Sequence, residues 1–497
     1  MQPSNDVSRE HPPETSKHDR ESSSKVTAEG QASHRLRSLK QENGLLRSQL
    51  KAIHQSLWWR LGAKLDRWRT ALGFKREPGK EGDAEPSRPT PQLGEGDSGI
   101  GLSPCDEDLA KKLDRHGALA HLETLLKTRK VALEDLQKRD PGLLFLVPFK
   151  GQGGGLHSIV QEVAALRLLG FRAAVATPQD LYGAYCEKYP DMPVFEPYGD
   201  PNELLQWRSG FGIFIATYFT SVALLERLWL EDPTIVCGYY VQDYEPWFFE
   251  GGSEWERIAY RTYGAIPGMI HFAKTDFLCE TLRERHGLDC HLVSPGLDHS
   301  VFSAPEAGVK RDSPVVVTAM VRPNTPWRRP GLTMSVLRAL KTEFGEKLGV
   351  EIFGCQPDDP ALESLPMDFP FEHLGVLSRQ DVASQLRRAS IFLDLSVYQA
   401  FGRTGLEAMA CGCVPVLPEK CGPDSYARQH HNAILINTGD EQAAIEAVRN
   451  LVHRPGFRHR LLEAGLATAK QYSVPKAALE EWMLFEDYGA AWTPANG

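Results

Sequence analysis

The chain has no excess of basic residues: its 497 residues carry 56 Lys and Arg against 65 Asp and Glu, for a formal charge of −9 and a pI near 6.0. Gripping nucleic acid through its phosphates normally takes a positive face, so nucleic acid is excluded as the main partner. Paired cysteines are also missing. Nine cysteines are scattered between Cys105 and Cys421 without the spacing of a disulfide framework or a zinc site, which fits a reducing compartment. Residues 1–30 lack the apolar core of a secretory signal, so the chain is expected in the cytoplasm. No Asp-x-Asp metal motif occurs in either folded half, and Asp358-Asp359 is the nearest approach to one. Nor is there a convincing membrane span. The uncharged stretch Ser209–Leu225 comes closest, but it reads as a strand, Gly212–Ala216, followed by hydroxyls suited to a helix cap and an amphipathic helix containing Glu226 and Arg227.

What is present divides into tails and two alternating halves. Residues 1–34 are rich in Ser, Glu, Lys, Pro and His, with too little apolar surface to offset chain entropy, and are expected to be disordered. Residues 35–76 read as a coiled coil running into a basic amphipathic helix. Leu36, Leu39, Asn43, Leu46, Leu50, Ile53 and Leu57 form a seam, and Asn43 within it is the kind of polar position that selects a parallel homodimer through 35–57. Across 51–76 there are seven Lys or Arg against one Asp, interleaved with Trp58, Trp59 and Trp68. That composition suits an anionic membrane surface, which would make the protein peripheral on the inner face, and it equally suits a basic helix docked on the folded halves. Residues 77–108 are Pro-, Gly-, Glu- and Asp-rich, as a flexible linker is.

The fold class is α/β, with two Rossmann-like doubly wound domains facing a cleft. The first spans 109–300. It opens with helical Leu and Ala spacing up to Asp140, which Pro141-Gly142 ends, and then has an apolar strand at Leu143–Pro148, a glycine turn at 151–155, a helix at His157–Gly170 and a strand at Phe171–Thr177. The second spans 301–475 and repeats the alternation from Val315–Thr318. Residues 476–497 supply a C-terminal crossover helix and tail. Open parallel sheets bind ligands beyond the carboxyl ends of their strands, so the cleft between the halves is the expected site.

The most informative segment runs from Ser396 to Val416. Here Gln399 and Glu407, eight residues apart, bracket Phe401-Gly402-Arg403-Thr404 at the start of a helix whose positive end can face phosphate. It resembles the nucleotide-sugar signature of family-4 retaining glycosyltransferases, with Gln399 standing where that family has its first glutamate. The resemblance implies a GT-B fold and a donor site made of Gln399, Phe401, Gly402, Arg403, Thr404 and Glu407, with Glu407 on the ribose. It also implies a pyrophosphate clamp. Arg322 would fill the arginine role, and Arg328 or Arg329 would replace the family's lysine, since guanidinium groups bind phosphate bidentately. Val376 and Leu377, in Phe371–Ser378, would lie beneath the nucleobase, although both suit a core equally well. Pro295–Phe302 resembles the interdomain hinge. The region around Trp58 and Trp59 is similar to a linker of bacterial polysaccharide glycosyltransferases.

Gly153, Gly154 and Gly155 could approach donor phosphates, but Gly151–Gly155 does not meet the pattern Gly-x-Gly-x-x-Gly, and a plain tight turn is the other reading. Tyr239–Phe249 joins aromatic rings to two carboxylates, a composition for sugar stacking and hydroxyl recognition. Tyr244 and Trp247 are therefore the acceptor candidates. Related enzymes place a histidine near this strand end, and none lies between Tyr239 and Phe249, so Asp243 or Glu245 is expected to do that work. This stretch is similar to the rhamnan-building rhamnosyltransferase branch. The expected activity is retaining, metal-independent transfer of a sugar, rhamnose favoured, from a nucleoside-diphosphate sugar to a glycan or lipid-linked acceptor, with no cofactor. A silent sugar-binding scaffold and a nucleotide-sugar epimerase on the same fold are the alternatives.

Overall fold

In the computed structural model, the described residues are 118–150, 154–305 and 314–486. The readings for 1–34, 35–76 and 77–108 lie outside them, as does Gly153.

The first lobe is built on a seven-stranded sheet of β1 (Leu143–Leu146), β2 (Ala173–Pro178), β3 (Phe195–Tyr198), β4 (Ile213–Ala216), β5 (Val236–Val241), β6 (Ile270–Ala273) and β7 (Cys290–Leu292), ordered β3-β2-β1-β4-β5-β6-β7. Every pairing is parallel. β1 and β4 are buried along their whole length, because helices cover both faces of the sheet, which is why their sequences run apolar without alternation. Phe145, Val175 and Ile215 face one core layer, and Leu144, Ala174 and Phe214 face the other.

The second lobe has six parallel strands, β8 (Val315–Met320), β9 (Leu348–Phe353), β10 (Glu372–His373), β11 (Ile391–Leu393), β12 (Val414–Pro418) and β13 (Ile434–Ile436), ordered β10-β9-β8-β11-β12-β13. In each sheet the winding reverses beside the first strand, between β1 and β4 and between β8 and β11. Those switch points open a crevice at the strands' carboxyl ends. This is the GT-B arrangement of two facing Rossmann-like lobes.

Of the helical expectation for 109–140, residues 109–117 lie outside the described residues and the rest is met in two pieces. Ala118–Arg129 and Leu133–Gln137 are separate helices, because Lys130 takes a left-handed φ of 55° and Ala132 is extended, which turns Val131 onto the first core. The Ser209–Leu225 stretch is a strand and a helix. The amides of Thr217 and Tyr218 donate to Ser221 Oγ at 2.8 and 3.0 Å and cap helix Phe219–Glu231. No helix among the described residues is long and apolar enough to cross a membrane.

Helix Val474–Met483 packs on the first lobe. Trp482 is fully buried there, its ring 4.6 Å from Phe171 and its Nε1 donating to Asp140 Oδ1 at 2.8 Å. Glu481 pairs with the buried Lys274 at the end of β6, and Lys274 also meets Glu162 at 3.1 Å. Phe485 presses so closely on β5 that a Cβ at Gly238 would lie 2.9 Å from its ring, so glycine is required there.

Candidate functional site

The loops after β1, β5 and β6 meet the loops after β8 and β11 across the crevice. Thr275 Oγ1 donates to the carbonyl of Ala400 at 2.9 Å, Arg403 reaches Ser158 Oγ, and Tyr398 donates to Asp243. The amide of Tyr244 also donates to Tyr398 Oη at 3.2 Å.

The loop after β5 separates its residues sharply. Asp243 sits deep in the cleft, where burial raises its carboxyl to about 7 against the opposing pull of the Tyr244 amide and the Arg328 charge. Glu245 does not share that position. It is 1% exposed, accepts hydrogen bonds from the Phe219 amide at 2.8 Å and Tyr239 Oη at 2.6 Å, and has its own amide tied to Tyr263 Oη at 3.2 Å. Burial holds it well above the ordinary carboxylate range, and it anchors the loop from behind. Tyr244 is likewise buried, stacked on Tyr263 and bonded to His286 Nε2 at 3.0 Å. Trp247, 40% exposed, is the acceptor candidate that faces outward.

Gly154 and Gly155 open helix Gly154–Leu168. A Cβ on Gly155 would fall 2.0 Å from Gln242 Oε1 of the same lobe, whereas one on Gly154 would lie 3.9 Å from Arg403 Nε of the second lobe, an ordinary contact. His157, two residues after Gly155, was not singled out by the sequence. Its buried Nε2 has no hydrogen-bond partner, and burial, reinforced by Arg379, Arg403 and Lys188, lowers it to about 2, so it is neutral.

In the second lobe, Arg322 follows β8 with its side chain open to the cleft, and both the surrounding protein and the nearby Arg328 work against its charge while Asp394 supports it. Arg328 lies 3.8 Å from Asp394. Arg329 turns away: its backbone is left-handed at φ 47° and its guanidinium donates to the carbonyl of Thr438 at 2.6 Å. Of the two candidates for the lysine position, the structure brings Arg328 to Arg322.

Gln399 is buried and donates to Asp394, which also accepts from the Ser396 amide at 3.0 Å. A carboxylate therefore stands behind the amide at the corner where the family pattern has glutamate, and the sequence reading missed Asp394 because it lies five residues upstream. Phe401 packs edge-on against Tyr426 at 5.4 Å. Gly402 is left-handed at φ 76°, has its carbonyl held by Tyr426 Oη at 2.6 Å, and would carry a Cβ 2.7 Å from Pro423. It caps helix Arg403–Ala410, which places Thr404, half-buried, in the first turn. Glu407 is 7% exposed. Burial raises its pKa, while Arg403 and Arg379 draw it back down. Arg379 also pairs with Asp298 of the hinge segment at 3.2 Å, and Gln161 of the first lobe donates to the same carboxylate at 2.7 Å. Near β10, Val376 is 60% exposed while Leu377 packs on the second core, so only the former is free to meet a ligand.

Residues 369–467 match the family described as glycosyl transferases group 1. The second lobe carries a glycosyltransferase domain. It includes β10 to β13, Gln399 and Glu407. The whole described fold is similar to HepE of Anabaena, solved with UDP and glucose, at 14% identity and a TM-score of 0.57 over 71% of this chain and 100% of that one. It is also similar to sucrose-phosphate synthase of Thermosynechococcus elongatus, at 15% identity and a TM-score of 0.54 over 71% of this chain and 100% of that one. At those identities the likeness establishes the GT-B fold. In sequence, 224 residues are 26% identical to the O-antigen biosynthesis protein RfbC of Myxococcus xanthus, covering 45% of this chain but 17% of that much longer protein.

Proposed function

We propose that this chain uses its glycosyltransferase domain to move a sugar, rhamnose favoured, from a nucleoside-diphosphate sugar to a growing cell-surface glycan, with retention and without a metal. One observation carries the reading: Arg322 and Arg328 converge beside a single carboxylate, Asp394, at the switch point of a glycosyl transferases group 1 domain. Two like charges held together in a recess are costly unless an anion joins them. A leaving diphosphate is such an anion, and the N-terminal end of helix Arg403–Ala410 supplies further positive potential. The carboxylate of Glu407, buried between Arg403 and Arg379, is suited to accept from ribose hydroxyls.

In the proposed reaction the bond from the anomeric carbon to the diphosphate oxygen breaks, and its electron pair leaves with the diphosphate. The acceptor oxygen bonds to that carbon on the same face, and its proton passes to the departing diphosphate. Asp243 orients the acceptor hydroxyl. Because the guanidinium groups balance the developing charge, turnover is expected to survive EDTA. The UDP held by HepE makes a uridine donor worth testing first, and the RfbC match supports a surface-polysaccharide acceptor. Residues 51–76 are proposed to hold the protein at an anionic membrane, with flotation alongside anionic vesicles as the test. A thermal-shift screen against dTDP-, UDP- and GDP-sugars, followed by product analysis, tests the central reading. Stabilisation by one donor and transfer with retention support it, and no response to any donor sinks it. Donor binding without hydrolysis or transfer would favour the scaffold instead.

A further inference from the structure

A pocket of about 400 Å³ lies between the lobes, lined by Trp247, Phe248 and Phe277 from the first and Trp327, Tyr398 and Cys421 from the second. Its size falls within the roughly 300–1,000 Å³ usual for small-molecule sites. We infer that it holds the terminal sugar ring of the acceptor, so that acceptor choice is set as much by the donor lobe as by the first. This inference rests on the glycosyltransferase reading above and deepens it.

The walls argue for a sugar. Five of the six lining residues are aromatic and none is aliphatic, whereas a site for an isoprenoid chain needs no flat ring faces and gains from branched aliphatic packing. Trp247 meets Tyr398 edge-on at 4.9 Å and Phe277 at 6.1 Å, and the Arg285 guanidinium covers it at 5.3 Å, so its orientation is held before any ligand arrives. Fixed aromatic faces suit the C–H face of a pyranose. The one hydroxyl among the lining side chains is that of Tyr398, bonded to Asp243, so a ring in the pocket can direct a hydroxyl toward the carboxylate proposed to orient it.

The second lobe's share follows from sequence proximity. Trp327 immediately precedes Arg328 in the short turn Pro326–Arg328, and Tyr398 immediately precedes Gln399. The second lobe's pocket residues are therefore covalent neighbours of the clamp's Arg328 and of the donor corner at Gln399, and the pocket is complete only when the lobes are together. Trp327, Tyr398 and Phe277 act as specificity-determining residues.

The full chain is labelled with N-ethylmaleimide, and Cys421 modification is followed by peptide mass spectrometry, with the half-buried Cys186 and Cys290 as internal references. Labelling is compared alone and with a methyl-capped rhamnose disaccharide, a methyl-capped glucose disaccharide, or farnesyl phosphate. The expected result is that one disaccharide slows labelling at Cys421 and not at the references, and that Trp327→Ala weakens this protection by about tenfold in ligand concentration. If Trp327→Ala fails to fold, Phe277→Ala poses the same question from the other lobe. Protection by farnesyl phosphate alone, protection that survives both substitutions, or no protection by either disaccharide overturns the inference. A parallel UDP melt separates the two ideas: if UDP stabilises the chain but no disaccharide shields Cys421, the donor reading stands and this one falls, while silence toward every nucleotide removes the reading on which it rests.

Discussion

Charge at individual residues decides how the cleft behaves. Arg322 is solvent-accessible at the cleft and carries no ion pair within salt-bridge distance among the described residues, so Arg322→Ala is expected to lower kcat by about 10²- to 10³-fold while shifting the melting temperature by no more than about 2 °C. Turnover assays and a thermal melt on the same preparation check this, and near-normal turnover would refute the clamp. Asp243 makes a pH prediction. Burial raises its folded pKa to about 7, above the ordinary aspartate range, so the native state binds the proton more tightly than the unfolded one. Stability from this group is fully present below about pH 4 and is lost as pH rises through 7. Asp243→Asn is therefore expected to flatten the fall in urea midpoint between pH 5 and 8, and an unaltered profile would place the titration elsewhere. The contrast with Glu245, two residues along, shows where sequence reading reaches its limit at this scale. Both are carboxylates in one aromatic stretch, and only the fold reveals that Phe219 and Tyr239 claim the second. The same holds for Arg328 and Arg329, which adjacent positions and identical chemistry cannot separate, but which a left-handed backbone at the latter does.

Secondary elements were the most legible level. Strands covered on both faces, such as β1 and β4, announce themselves as unbroken apolar runs. The break at Lys130 was not legible, since no glycine or proline marks it and the gain comes from seating Val131 on a distant core. At the site, Asp394 escaped notice because its bond to Gln399 forms only when their shared loop folds back on itself, and His157 because the charges that surround it, Arg379 and Arg403, come from the other lobe. The helix Val474–Met483 gives this scale its prediction. Trp482 is wholly enclosed by the first lobe, so Trp482→Ala should cost about 3–5 kcal/mol of that lobe's stability, read as an early unfolding phase in urea. Lys274→Met is expected to be comparably damaging, because it leaves Glu162 and Glu481 buried without a counter-charge.

At the scale of the molecule, self-association is expected to belong to the segment before the lobes. The seam with Asn43 predicts that the full chain sediments at twice its monomer mass and that removing residues 35–57 returns it to one, and the same mass in both would dismiss the dimer. The return of residues 474–485 to the first lobe has a consequence for biogenesis. A ribosome delivers that lobe's sheet early, yet Trp482 and Phe485, which finish its interior, emerge only after the entire second lobe has been made. Domains commonly fold in the order of their synthesis, but here the earlier one must wait, with an unsealed apolar face, for residues made after the second lobe. A premature stop just upstream of Val474 would thus spoil the half of the protein farthest from it in sequence.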